Sequence, residues 1–230
     1  MLTMGFIKNY HDWLKVADTA LPRNIIGYLT QLCLGPLRAD PFTILPYDHP
    51  KEIAKCGHKV GTSFLPGELP EREGPRPEIS GWIAPHRQIT QLTGDDMHKL
   101  LAQAMEELAA KYSSHTVVRT SVLEKSGDAF LVADGVATPH SIAKSTKREI
   151  AHVHAGTGSG DYSLHMSLSP TDCKEVISKK WGERMTLAGS LVPHEYLMVY
   201  TPRTKEEVEI VKTIVSAAIE FMAGVERPAE

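Results

Sequence analysis

The sequence predicts an α+β fold, with helices packed on one side of a mostly antiparallel sheet. Three observations lead there. Short apolar runs of strand character are bounded by turn residues. Two segments repeat apolar residues at helical spacing behind capping signals. The order strand, helix, several strands, short helix, strand, helix lacks the regular alternation that a parallel sheet requires. At 230 residues, 42% hydrophobic and 23% charged, the chain has ordinary globular composition and is long enough to bury a substantial core. A formal charge of -3, spread without long like-charge blocks, argues against a nucleic-acid partner.

Residues 1–65 read as an N-terminal arm of helices and loops. A helix is expected over 10–20 with Pro22 as its stop, then an apolar segment over 24–34, then a loop broken by Pro36, Pro41, Pro46 and Pro50. The apolar segment is too short to span a bilayer. Burial as a core helix is the expectation, with peripheral attachment to a membrane surface as the alternative. Residues 66–78 form a charged Pro/Gly-rich stretch, expected to be an exposed connection, whether linker or wrapped loop. Residues 79–224 form the main domain.

Within that domain, Thr93-Gly-Asp-Asp96 resembles a capping box, followed by Leu100, Leu101, Ala104, Met105 and Leu108 at helical spacing. Val117, Val118, Val122 and Leu123, then residues 129–133, read as two strands of a hairpin turning through Ser126-Gly-Asp128. Residues 150–154 and 162–168 read as two more strands around a glycine-rich loop. Ser169-Pro-Thr-Asp172 opens a short helix, with proline where its missing N–H costs nothing and Gly182 as its stop. A strand over 195–200 follows. Thr204-Lys-Glu-Glu207 then caps a final helix with Val208, Val211, Ile214, Val215, Ala218 and Met222 on one face and Gly224 at its end.

Cys33, Cys56 and Cys173 are widely spaced and include no CxxC, so neither a disulfide framework nor a thiolate zinc site is signalled. A reducing, intracellular setting is expected, and Cys173 reads as structural. The Gly156-Thr-Gly-Ser-Gly160 run precedes a strand rather than a helix, so it reads as a turn and not a phosphate loop. No G-x-S-x-G is present to carry a serine nucleophile.

The informative residues are histidines. His152 and His154, two apart in a strand, project to one face, and a hairpin brings His165 opposite them. Three converging imidazoles suit either acid/base work near neutral pH or a three-histidine metal site. Arg148 is expected on the same face, where its guanidinium could hold an anionic or enolate oxygen, or else pair with a surface carboxylate. His86 and Arg87 stand together before the first capped helix, in a loop compatible with a site.

The run Thr146-Lys-Arg-Glu-Ile-Ala-His-Val-His154, then Leu164-His165, Lys174-Glu-Val, Lys180-Trp-Gly-Glu-Arg184, Leu187-Ala-Gly189 and Tyr200-Thr-Pro-Arg203 leading into Glu206-Glu207, resembles the fungal luciferases and their luciferase-like relatives. A weaker similarity extends upstream, so the resemblance covers residues 70–222. It implies an oxygenase without a cofactor or metal that adds O2 to 3-hydroxyhispidin, a styryl-pyrone, with loss of CO2 and emission of light. On that reading His152 or His154 is the base, His165 its partner, and Arg148, Arg87 and His86 hold the substrate. It further implies a small pyrone or phenolic substrate with O2 as co-substrate. The protein would be cytoplasmic, or membrane-associated through an N-terminal segment not seen in this sequence. Luminous members carry a shorter segment where this chain has residues 155–160. A non-luminous homologue therefore stays in view, either a histidine-ligated metalloenzyme on a small aromatic or lactone substrate or a non-catalytic ligand-binding domain.

Overall fold

A computed structural model describes residues 2–17, 21–54, 61–138, 141–155 and 160–225. Residues 156–159 of the expected glycine run, Cys56 and the chain start at Met1 lie outside the described residues. The arm begins with α1 (Leu2–Val16), longer at its N-terminal end than expected, and α2 (Ile25–Cys33), whose first turn is capped by the Asn24 side chain accepting from the Ile26 and Gly27 N–H groups. These two helices share a small aromatic core of Trp13 and Tyr28, with Tyr10 and Trp82 packed against it.

The expectation that α2 would be a core helix is corrected. Tyr28 and Gln31 are buried, but Ile25, Ile26, Leu29 and Leu32 are 42%, 66%, 46% and 44% exposed. The side of α2 that faces inward carries Tyr28 and the polar Gln31, whose side chain accepts from the Ile83 N–H, so apolar patterning points to the wrong face. Among the described residues, no helix is long and apolar enough to cross a membrane.

A short helix α3 (Pro50–Ala54) follows, and the chain then wraps the main body. The proline-rich stretch takes the wrapped-loop alternative: most of its residues are exposed, and a few anchor it to that body. Leu69 and Arg72 are buried, the Arg72 side chain donates to the Thr201 carbonyl and Glu207, and Arg76 donates to the Gly182 carbonyl. Further along, α4 (Asp95–Lys111) begins one residue later than a Thr93 cap implies. Gly94 occupies the cap position and makes no side-chain bond, leaving Asp95 and Asp96 to favour the helix N-terminus through their charge.

The sheet is antiparallel throughout, in the order β1-β2-β3-β4-β6-β5. Its strands are β1 (Thr116–Thr120), β2 (Asp128–Val132), β3 (Glu149–Val153), β4 (Leu164–Ser167), β5 (Gly182–Arg184) and β6 (Tyr196–Val199). Val122 and Leu123, expected in a strand, fall in the longer β1–β2 connection instead. Gly182 opens β5 rather than ending a helix. The turn α5 (Ile142–Ser145) precedes β3, and α6 (Pro170–Ser178) sits between β4 and β5, its Ser169 cap accepting from the Asp172 N–H.

The last helix, α7 (Lys205–Ala223), is formed as expected. Thr204 accepts from the Glu207 N–H, and Gly224 closes the helix at φ 64, a left-handed position that glycine adopts without strain. Helices α4 and α7 pack together, and α7 covers the sheet face formed by Phe130, Ile150, Ala151, Leu164, Met166 and Leu197. Burying each large apolar side chain there contributes about 1.5–3 kcal/mol. The opposite face carries the polar residues and is covered by the segment that holds His86 and Arg87 and by the β1–β2 connection.

Candidate functional site

The polar face is built by register. In the β3–β4 ladder His152 stands directly opposite His165, and in the β4–β6 ladder His165 stands opposite Met198, which in turn opposes Glu183 of β5. His154 lies one residue beyond β3 and is fixed there because its N–H donates to the Ser163 carbonyl. The three imidazoles converge as expected. Ring centroids are 5.2 Å apart for His152–His154, 5.3 Å for His152–His165 and 4.7 Å for His154–His165.

Glu149 joins them through an irregularity. Phe130 pairs with Ala151 but Leu131 pairs with Glu149, so Ile150 is an extra residue bulging from β3. Without the bulge, Glu149 and Ala151 would share the helix side of the sheet. With it, Glu149 Oε1 reaches 2.6 Å from His152 Nδ1. The same carboxylate accepts from Ser121 Oγ and from the Val122 and Leu123 N–H groups, which folds the β1–β2 connection over the site. That fold delivers Glu124.

Arg87 is the central cation, 1% exposed. Its Nη2 donates to Glu124 Oε2 at 2.6 Å and its Nη1 to His154 Nε2 at 2.7 Å. A guanidinium can only donate, so His154 Nε2 is an acceptor and its proton resides on Nδ1. From there His154 donates to Ser163 Oγ at 2.8 Å, and Ser163 donates to Asp161. On the other flank His86 Nδ1 lies 3.3 Å from His165 Nε2 and His86 Nε2 3.0 Å from Glu183 Oε1, while the Tyr200 hydroxyl donates to Glu183 Oε2.

The environment spreads the proton affinities of the three imidazoles. Burial, then the Arg87 charge, push His154 down to about 4. Burial, then the neighbouring histidines, hold His165 well below the usual imidazole range. For His152 burial acts in the same direction, but Glu124 and Glu149 outweigh it and raise the residue above that range. His152 Nε2 is 3.5 Å from Glu124 Oε1 and has no hydrogen-bond partner, so this attraction is Coulombic rather than a formed bond. Burial opposes the charge of Glu124, yet His152, Arg87 and His154 together hold it far below the usual carboxylate range.

Of the residues expected from sequence, His86, Arg87, His152, His154 and His165 are thus together. Arg148 is not. It takes a positive φ of 69, and its guanidinium donates to the carbonyls of Val132, Ala133 and Val136, on the far side of the same bulge that re-aims Glu149. The alternation that placed it with the histidines fails at that irregularity. Sequence reasoning missed Glu124, Glu149, Asp161 and Glu183. The Ser121-x-x-Glu124 turn is common in loops, and nothing local marks any of these carboxylates as buried.

At the same end of the sheet, but on its helix side, lies an apolar cavity of about 350 Å³ between α4 and the strands. Leu101, Met105, Phe130, Val153 and Tyr162 line it, and it meets His152 at one margin.

A luciferase domain profile matches residues 147–218. The chain is 32% identical to a luciferase of Neonothopanus nambi and 32% identical to a luciferase of Armillaria mellea. A luciferase of Armillaria ostoyae is 31% identical. Each similarity covers 94% of this chain and 81% of the relative. No solved structure matches the chain.

Proposed function

The chain belongs to the fungal luciferase family, and on that premise we propose that it is an oxygenase adding O2 to a hydroxypyrone of the 3-hydroxyhispidin type, with loss of CO2 and emission of light. The observation that carries this reading is the buried Arg87 guanidinium set against Glu124 and three imidazoles. An enolisable hydroxypyrone needs a base, a cation for its oxyanion and a dry site, and the cluster offers all three.

His152 takes the enol proton, since its two carboxylate neighbours make it the strongest base of the three imidazoles. Arg87, oriented by His154 and Glu124, holds the resulting oxyanion. The enolate carbon gives an electron pair to O2, forming a carbon–oxygen bond and a peroxide. The terminal peroxide oxygen closes onto the lactone carbonyl and expels the ring oxygen, which takes the proton back from His152; the O–O bond and the carbon–carbon bond to the former carbonyl then break as CO2 leaves. Both oxygen atoms end in products and the electrons come from the pyrone, so no external reductant enters.

The test is to mix the purified protein with 3-hydroxyhispidin in air and record light and oxygen uptake beside a His152→Ala variant. Light and uptake that the variant lacks are the expected result. Oxygen uptake without light would keep the oxygenation and discard luminescence. Neither signal above a protein-free control, with the ligand nevertheless bound, would replace this reading with a non-catalytic binding domain.

A further inference from the structure

We propose that, when no pyrone is bound, His152, His154, His165 and Glu124 form a binding site for a first-row divalent transition metal, which takes the His152 Nε2 that serves as base in the oxygenase reading; the resemblance by itself implies a reaction without a metal. Each of the four offers a ligand atom, and these atoms all lie within 4.8 Å of one another. At bond lengths of about 2.1 Å, the ligands of a tetrahedral ion stand about 3.4 Å apart, so the widest pair closes by at most roughly 1.4 Å on binding.

The surroundings of the imidazoles carry the argument further. A ligating histidine characteristically gives its other ring N–H to a carboxylate or a similarly anchored acceptor, which fixes the tautomer and turns the lone pair toward the ion. Two of the three do so here. His152 Nδ1 is held by Glu149 at 2.6 Å, and His154 Nδ1 by Ser163, itself bonded to Asp161. The freed Nε2 of His152 is buried and has no hydrogen-bond partner, an arrangement that is costly unless something else satisfies it.

Charge points the same way. The buried carboxylates of Glu124, Glu149, Asp161 and Glu183 face a cluster to which Arg87 brings one guanidinium. Imidazole and carboxylate donors without thiolate suit zinc, iron, cobalt or manganese rather than copper(I). Arg87 is the competitor for this position, because it holds His154 Nε2 and Glu124 now. Asp161 Oδ2, 3.8 Å from Arg87 Nε, is placed to take the guanidinium when an ion enters.

The experiment uses the full chain, stripped with a chelator and titrated with Co2+ in the absence of any substrate, so its outcome is independent of the oxygenase reading. The expected result is about one Co2+ per chain, with visible ligand-field absorption of a nitrogen-ligated ion. That band is lost in His152→Ala, and Glu149→Gln weakens binding by roughly 10- to 100-fold. If circular dichroism finds His152→Ala unfolded, Glu124→Gln, at the rim of the cluster, takes its place. Absence of the band at stoichiometric Co2+, or a band that survives in the folded variant, overturns the proposal.

Discussion

Glu149 and His152 are three residues apart in one strand, yet their side chains meet at 2.6 Å because Ile150 bulges between them. Three residues apart in an unbroken strand would put them on opposite faces. The bulge is therefore the local feature that converts an ordinary strand into one wall of the site, and it motivates the first prediction.

Replacing Glu149 by Ala removes the acceptor shared by His152, Ser121 and the Val122 and Leu123 N–H groups, all facing the protein interior. Leaving such donors unmatched is expected to lower stability by about 2–4 kcal/mol. The urea midpoint measures it, and a midpoint equal to that of the parent protein would contradict the bonding described.

Arg87 and Arg148 are expected to separate cleanly. Arg148→Ala frees three backbone carbonyls and costs about 1–3 kcal/mol of stability, while turnover stays within about twofold. Arg87→Met lowers oxygen uptake by about 100-fold or more. If Arg148→Ala were the inactive variant and Arg87→Met the active one, the site would have to be relocated.

The competition between Arg87 and a metal gives a further outcome. With the guanidinium gone, His154 Nε2 and Glu124 are released, and Arg87→Met is expected to bind Co2+ more tightly than the parent protein. A titration monitored by absorbance measures the change.

Acid sensitivity is expected from Glu207, which ties α7 to Arg72 and Arg203 of the wrapped chain and loop. Burial acts to raise its pKa, but Arg203 and Arg72 outweigh burial and lower it from the ordinary value of 4.5. A depressed carboxylate contributes stability that is fully present above its unfolded-state value and is lost as pH falls through the folded one. The loss therefore lies below pH about 4.5, and Glu207→Gln flattens that part of the stability profile. Thermal melts of both proteins from neutral pH downward check it. Arg72 and Glu207 are both buried, so salt screens their part of the contribution only weakly, while the more exposed Arg203 is screened more.

Much of this molecule was legible in its residues. The caps at Ser169 and Thr204 and the stop at Gly224 are local signals, because a hydroxyl or a left-handed glycine satisfies helix ends whatever lies beyond. His152 and His154 were legible as a pair for a similar reason, since strand geometry alone puts residues two apart on one face. Periodicity fixed the buried side of α7 but misleads for α2, whose buried side carries the polar Gln31 while Ile25, Ile26, Leu29 and Leu32 face outward.

The sequence by itself determined the α+β class, the identity and order of most elements, the family resemblance and the placing of His152 and His154 on one face. Only the tertiary structure decided which charges stand among them. Glu124, Asp161 and Glu183 come from separate loops and strands, and Arg148 was excluded by a one-residue bulge that reverses side-chain direction. The physical reason is that element type follows from short-range backbone and solvation preferences. The partner of a buried charge follows instead from long-range register, where a single extra residue changes the face on which every neighbour falls.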